Sequence, residues 1–146
     1  MSKNLIIQLS GLFLWTSLDV VGLSISIDSG WIRLLPPNIN NTAAYVEISN
    51  SGDELFEISR VKSHIAVRSE IHRSYFENGL MHMEKLDTIK IAPGSSVSMS
   101  STGIHIMLFD LLTSLDHGQI HEICLVSVDE EVLCKKLEVL HSSPIT

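Results

Sequence analysis

Turn residues interrupt this chain about every eight to twelve positions from residue 31 onward, and this spacing is its strongest constraint on fold. Between the turns lie short runs in which apolar and polar residues alternate. Such alternation is typical of half-buried strands, and no long stretch has the helical period. We therefore predict an all-β, antiparallel β-sandwich with Greek-key connections. The predicted strands are 31–35, 44–49, 56–61, 67–76, 80–86, 88–91, 96–100, 103–111 and a terminal hairpin that carries Cys124 and Cys134.

The first 26 residues have the composition of a targeting segment. Lys3 supplies a short basic region, residues 5–18 are apolar, and Ser24-Ile25-Ser26 fits a small-x-small cleavage site. We predict a signal peptide at 1–26, or an uncleaved membrane anchor, followed by one domain at 27–146. Both alternatives place that domain outside the cytoplasm, in the periplasm or attached to the envelope. The domain itself is expected to have no membrane span unless the segment is retained.

The charge and the cysteines limit the possible partners and compartments. The formal net charge is −7 and no basic run is present, which disfavours nucleic-acid binding. Cys124 and Cys134 flank a predicted tight turn, so they are placed either to form a disulfide or to act as two small buried apolar residues. Their spacing does not match that of zinc sites or redox pairs.

The predicted strand 103–111 carries two residues that are unusual on the solvent-facing side of a strand. Its aliphatic residues at 104, 106 and 108 share one face and are predicted to enter the core. His105 and Met107 then share the opposite, solvent-facing side, where Thr, Lys or Glu is more usual.

A hairpin brings two further residues of the same types together. Asn78-Gly79 favours a type I′ turn, since both residues tolerate a positive φ. A two-residue turn at this position pairs residues whose numbers sum to 157, which places His72, Met81 and Met83 on one face. His72 and Met83 become diagonal neighbours. Met81 is either a spare ligand or a packed or partly exposed methionine.

Few metal ions bind well to imidazole and thioether ligands together. Neutral, soft thioether sulfur is a poor ligand for Zn²⁺, Mg²⁺ or Ca²⁺, whereas Cu(I) accepts both sulfur and imidazole. Methionine, unlike cysteine, is not lost to a disulfide in an oxidising compartment. The four residues therefore indicate a Cu(I) site.

The spacing of these residues resembles the signature of the periplasmic copper chaperone family PCu(A)C. Ten residues separate His72 from Met83, twenty-one separate Met83 from His105, and His105 and Met107 form a His-x-Met pair. The similarity extends over roughly residues 29–140 and includes Trp31-Ile-Arg33, Asn50-Ser-Gly-Asp53 and Ile91-Ala-Pro-Gly94. The resemblance implies a cupredoxin-like sandwich that binds Cu(I). It further implies delivery of copper to the Cu(A)-bearing subunit of cytochrome c oxidase or to another copper chaperone.

Other functions remain open to different degrees. An enzyme is disfavoured, because the sequence offers no nucleophile-base-orienter set. An electron-transfer cupredoxin would use a cysteine ligand, and neither cysteine is near His105 in sequence. The remaining alternatives are a sandwich for copper tolerance or buffering and a metal-free adhesion or assembly module.

Overall fold

The computed structural model describes residues 24–144, and within this range every regular element is a β-strand. Of the predicted targeting segment, residues 1–23 lie outside the described residues. The ten strands are β1 (Ile25–Arg33), β2 (Thr42–Asn50), β3 (Phe56–Ser63), β4 (Ala66–Glu77), β5 (Leu80–Leu86), β6 (Ile89–Ile91), β7 (Ser96–Ser98), β8 (Ile104–Leu111), β9 (Ile120–Ser127) and β10 (Val132–Leu140). The all-β prediction is confirmed. Residues 24–144 contain no helix long and apolar enough to cross a membrane.

The strands form one hydrogen-bonded path in the order β5-β4-β8-β2-β1-β10-β9-β3-β6, with β7 paired to β2. Ile71 of β4 and Ile91 of β6 come from opposite ends of this path but belong to the same buried cluster. The sheet must therefore fold over on itself, because the two ends of a flat sheet could not share a core. Pairing is antiparallel except between β1 and β10, which run parallel and make the sheet mixed.

The first strand begins inside the segment predicted to be removed. Ile25 is only 5% exposed, and it pairs with Asn50 of β2. Cleavage after residue 26 would remove Ile25 and Ser26 from β1. The boundary at 26/27 stays a prediction, and the buried Ile25 side chain favours a junction upstream of it.

The two cysteines lie directly opposite each other on β9 and β10, and they form a disulfide with a Cα–Cα distance of 4.0 Å. Cys134 is exposed and Cys124 is partly exposed, so the alternative of two buried apolar residues is wrong. In the strand order, β2 and β1 lie between β8 and the two strands that this disulfide joins.

Candidate metal centre

The hairpin of β4 and β5 has the predicted register. Asn78 and Gly79 adopt φ values of 52° and 77°, as a type I′ turn requires. His72 is paired with Lys85, and Ser74 is paired with Met83. The prediction that His72 and Met83 are diagonal neighbours on one face is confirmed, because residues paired across two strands point to the same side.

Strand β8 lies on the other side of β4 and completes the set. His72 is directly opposite His105, and their ring centroids are 6.2 Å apart. Glu70 is opposite Met107 in the same register. Because side chains alternate along strands, His72, Met83, His105 and Met107 all lie on one face of the β5-β4-β8 segment.

Most of these side chains line a cleft of about 250 Å³. Three of the four predicted ligands, Met83, His105 and Met107, line it together with Met81 and Ser74. Met83 is 52% exposed and stands at the mouth, as does Met81. The His72 side chain is only 13% exposed and is not among the residues that line the cleft, but its ring lies beside that of His105. Exposed thioethers therefore lie on the same strand face as two largely buried imidazoles.

The expectation that His105 faces solvent is wrong, since this residue is only 3% exposed. Tyr45 of β2 packs beside it, with the ring centroids 6.5 Å apart. The turn before β8 contributes the carbonyl of Gly103, which accepts hydrogen bonds from His105 Nδ1 at 3.0 Å and from the amide of Ser74 at 3.0 Å. Burial lowers the pKa of His105, which favours the neutral imidazole that can bind a metal ion.

The hydrogen bonds assign the free nitrogen of each histidine. A carbonyl only accepts, so in neutral His105 the proton lies on Nδ1 and the lone pair on Nε2. In neutral His72, Nε2 donates to the Glu70 carboxylate at 2.8 Å, which leaves the lone pair on Nδ1. That Nδ1 atom is buried and has no hydrogen-bond partner among residues 24–144. A buried lone pair without a partner is costly in an apo protein and is expected for a metal ligand.

Glu70 is held as a carboxylate by its neighbours. It accepts hydrogen bonds from His72 and Arg68, both at 2.8 Å, and it forms a longer ion pair with Lys85 at 3.3 Å. These contacts, with that to His72 largest, lower the pKa of Glu70 to about 2. Glu70 therefore stays ionised at neutral pH and remains an acceptor for the His72 Nε2–H group.

Sequence reasoning missed three residues beside the cleft. Tyr45 is buried, as expected of a core residue, but its ring contacts the site face and links Trp31 to His105. Ser74 contributes a buried hydroxyl that has no hydrogen-bond partner within the described part of the chain. Glu70 lies two residues before His72, a spacing that places both on the same strand face and could have flagged the contact.

Glu122 and the two cysteines form another group of potential ligand atoms, all within 4.8 Å of one another. The two sulfurs are joined in the disulfide. Without a thiolate, this group lacks the donors that soft metals prefer. The cleft at β4, β5 and β8 is the stronger candidate.

Fold and cleft together define an all-β domain with a methionine–histidine site suited to a soft metal ion. The chain belongs to the LpqE-like family, described as "Putative lipoprotein LpqE-like", whose model matches residues 25–132. It is also 25% identical over 96 residues to "Putative lipoprotein Lxx21020" of Leifsonia xyli subsp. xyli. That match covers 65% of this chain and 57% of the relative, so the chain spans only part of that protein.

Solved structures of PCuAC domains share the fold. The copper-bound PCuAC domain from PmoF2 superposes with a TM-score of 0.68 at 23% identity, covering 82% of this chain and 94% of that domain. CuI-DR1885 from Deinococcus radiodurans gives a TM-score of 0.69 at 21% identity, covering 84% and 83%. These likenesses confirm the cupredoxin-like β-sandwich.

Proposed function

We propose that this protein binds one Cu(I) ion in the cleft, through His72 Nδ1, His105 Nε2 and the sulfurs of Met83 and Met107. The observation that carries the proposal is the buried Nδ1 of His72, which has no partner in residues 24–144 while its Nε2 is bonded to Glu70. Both histidines use their second ring nitrogen to donate to an oxygen, the arrangement typical of metal-bound histidine.

The donor set selects copper over harder ions. Two thioethers add no charge to the site and bind Zn²⁺ poorly, whereas Cu(I) accepts them readily. The structures of PmoF2 and DR1885 were solved with copper bound, and their shared fold supports the same cargo here. Four protein donors leave no open position for a substrate, so we propose binding and transfer without catalysis.

We further propose that the protein is a copper chaperone that acts outside the cytoplasm. The Cys124–Cys134 disulfide supports an oxidising compartment, and the relatives are named lipoproteins. Met83 is half exposed at the mouth of the cleft, so a partner's ligand can reach copper before the donor ligands leave. The proposed recipient is the Cu(A)-bearing subunit of cytochrome c oxidase or another copper chaperone.

Mixing experiments test the transfer step. Copper-loaded protein is mixed with an apo Cu(A) domain at increasing acceptor concentration, and the appearance of copper in the acceptor is followed after rapid separation of the two proteins. Direct handover predicts a rate that rises with acceptor concentration. A rate that is independent of acceptor would show transfer through free copper only, and would leave copper buffering as the function.

A further inference from the structure

Glu70 connects the two ends of the site. It is paired with Met107 across the β4–β8 ladder, and its carboxylate bonds to His72 on its own strand. The side chain is 12% exposed, so little solvent competes for the carboxylate. This placement makes Glu70 the neighbour best able to determine which nitrogen of His72 is left without a hydrogen bond.

We propose that Glu70 is a positioning residue, which orients the His72 ring and fixes its proton on Nε2 so that Nδ1 is the ligand for Cu(I). The role in copper binding rests on the function proposed above. The effect of Glu70 on the His72 ring does not require copper, because the hydrogen bond forms in the metal-free protein.

The two histidines are positioned by different means. A backbone carbonyl fixes His105, so no side-chain substitution removes that acceptor. His72 depends on one carboxylate, which is itself held by the Arg68 guanidinium at 2.8 Å. Arg68 in turn lies 4.2 Å above the Phe109 ring, and that ring is 5.7 Å from His72. The contacts form a closed group around the buried ring, so Glu70 does not need to reorient when copper binds.

Removal of the carboxylate should release the His72 ring. Its Nε2–H group would lose its acceptor, and the ring could rotate or change tautomer, so that Nδ1 would no longer be held in one position. Loss of the outer partner of a metal-bound histidine typically weakens metal binding about 10- to 100-fold. We expect this loss for Glu70→Leu and a smaller one for Glu70→Gln, whose amide oxygen can still accept a hydrogen bond.

The matched control is Glu84→Gln, with Glu84→Leu beside it. Glu84 is also a carboxylate on the β4–β5 hairpin and also pairs with an arginine, Arg73. The register places that pair on the opposite face of the hairpin from His72. If loss of a carboxylate–arginine pair were enough to weaken Cu(I) binding, the substitutions at Glu70 and at Glu84 would both weaken it. If Glu70 positions His72, only the Glu70 substitutions should do so.

The test combines two measurements on the full chain. Nitrogen-15 NMR of the metal-free protein reports the tautomer of each histidine and the exchange of its ring N–H with water. Competition with a Cu(I) chelator reports affinity. We expect wild-type His72 to show a slowly exchanging Nε2–H, which is lost in Glu70→Leu while the Nδ1–H signal of His105 persists. The Glu84 variants should match wild type in both measurements.

The outcomes separate this proposal from the proposed function. An unchanged His72 Nε2–H signal in Glu70→Leu, or an unchanged affinity despite its loss, would overturn the role of Glu70 while leaving copper binding intact. Failure of the wild-type protein to bind Cu(I) would overturn the proposed function and the copper role of Glu70 with it. If Glu70→Leu does not fold, Glu70→Ala, which also lacks an acceptor for the His72 Nε2–H group, provides the same two readouts, and an unchanged signal and affinity there would equally refute the proposal.

Discussion

Removal of the Cys124–Cys134 disulfide should lower the free energy of unfolding without changing copper binding. The bond closes a short loop, since its cysteines are 10 residues apart in sequence. In the chain-entropy account, a loop of this length restricts the unfolded state by about 3 kcal/mol at 25 °C. The double variant Cys124→Ser/Cys134→Ser should therefore have a roughly hundredfold smaller folding equilibrium constant.

The positions of the two cysteines indicate that their replacement should disturb neither the core nor the cleft. Cys134 is exposed and Cys124 partly exposed, so the introduced hydroxyls are not forced into the core. Both positions lie on β9 and β10, and strands β1 and β2 separate them from the cleft-bearing strand β8. The altered residues should therefore affect only the restriction on the unfolded chain.

Equilibrium unfolding in urea measures the change, with the slope of the transition as a check on two-state behaviour. A loss below about 1 kcal/mol would refute the loop-entropy reasoning. A parallel Cu(I) titration should give the same stoichiometry for wild type and double variant. A lower stoichiometry in the variant would instead implicate the group formed by Glu122 and the two cysteines.

Three further substitutions test the fold around the cleft. Gly79→Ala should lower the free energy of unfolding by about 1 kcal/mol, because the backbone φ of this residue is 77°. Nothing lies within 4 Å of an added Cβ, so only backbone strain contributes. Urea unfolding that matches wild type would argue against the type I′ turn. His105→Ala should cost about 1–3 kcal/mol in the metal-free protein, because a buried, hydrogen-bonded ring is lost. Met83→Ala, at a half-exposed position, should cost less in the same assay, and equal losses would contradict the burial difference.

Local chemistry made much of the site predictable. Asn78 and Gly79 alone specify the turn, and the turn then determines which residues of β4 and β5 are paired. The alternation of apolar residues in β8 likewise separates His105 and Met107 from the core-facing set. These inferences needed only contacts between residues close in sequence or joined by a tight turn.

The features that sequence reasoning missed depend on distant parts of the chain. His105 is buried because Tyr45, some sixty residues earlier, packs against it. The parallel pairing of β1 with β10 joins the two ends of the domain, and no local pattern specifies it. The contact of Glu70 with His72 could be suspected from their spacing on one strand, but the pairing of Glu70 with Met107 of β8 could not.

Copper K-edge X-ray absorption on the Cu(I)-loaded protein is the decisive test of the proposed ligand set, because it counts the sulfur and nitrogen atoms bound to the metal. The proposed ligand set predicts one Cu(I) per chain with two sulfur and two nitrogen neighbours. It also predicts that Met83→Leu and Met107→Leu each remove one sulfur, whereas Met99→Leu, at a buried position outside the site cleft, removes none. A coordination shell without sulfur, or one that both site variants leave unchanged, would contradict it.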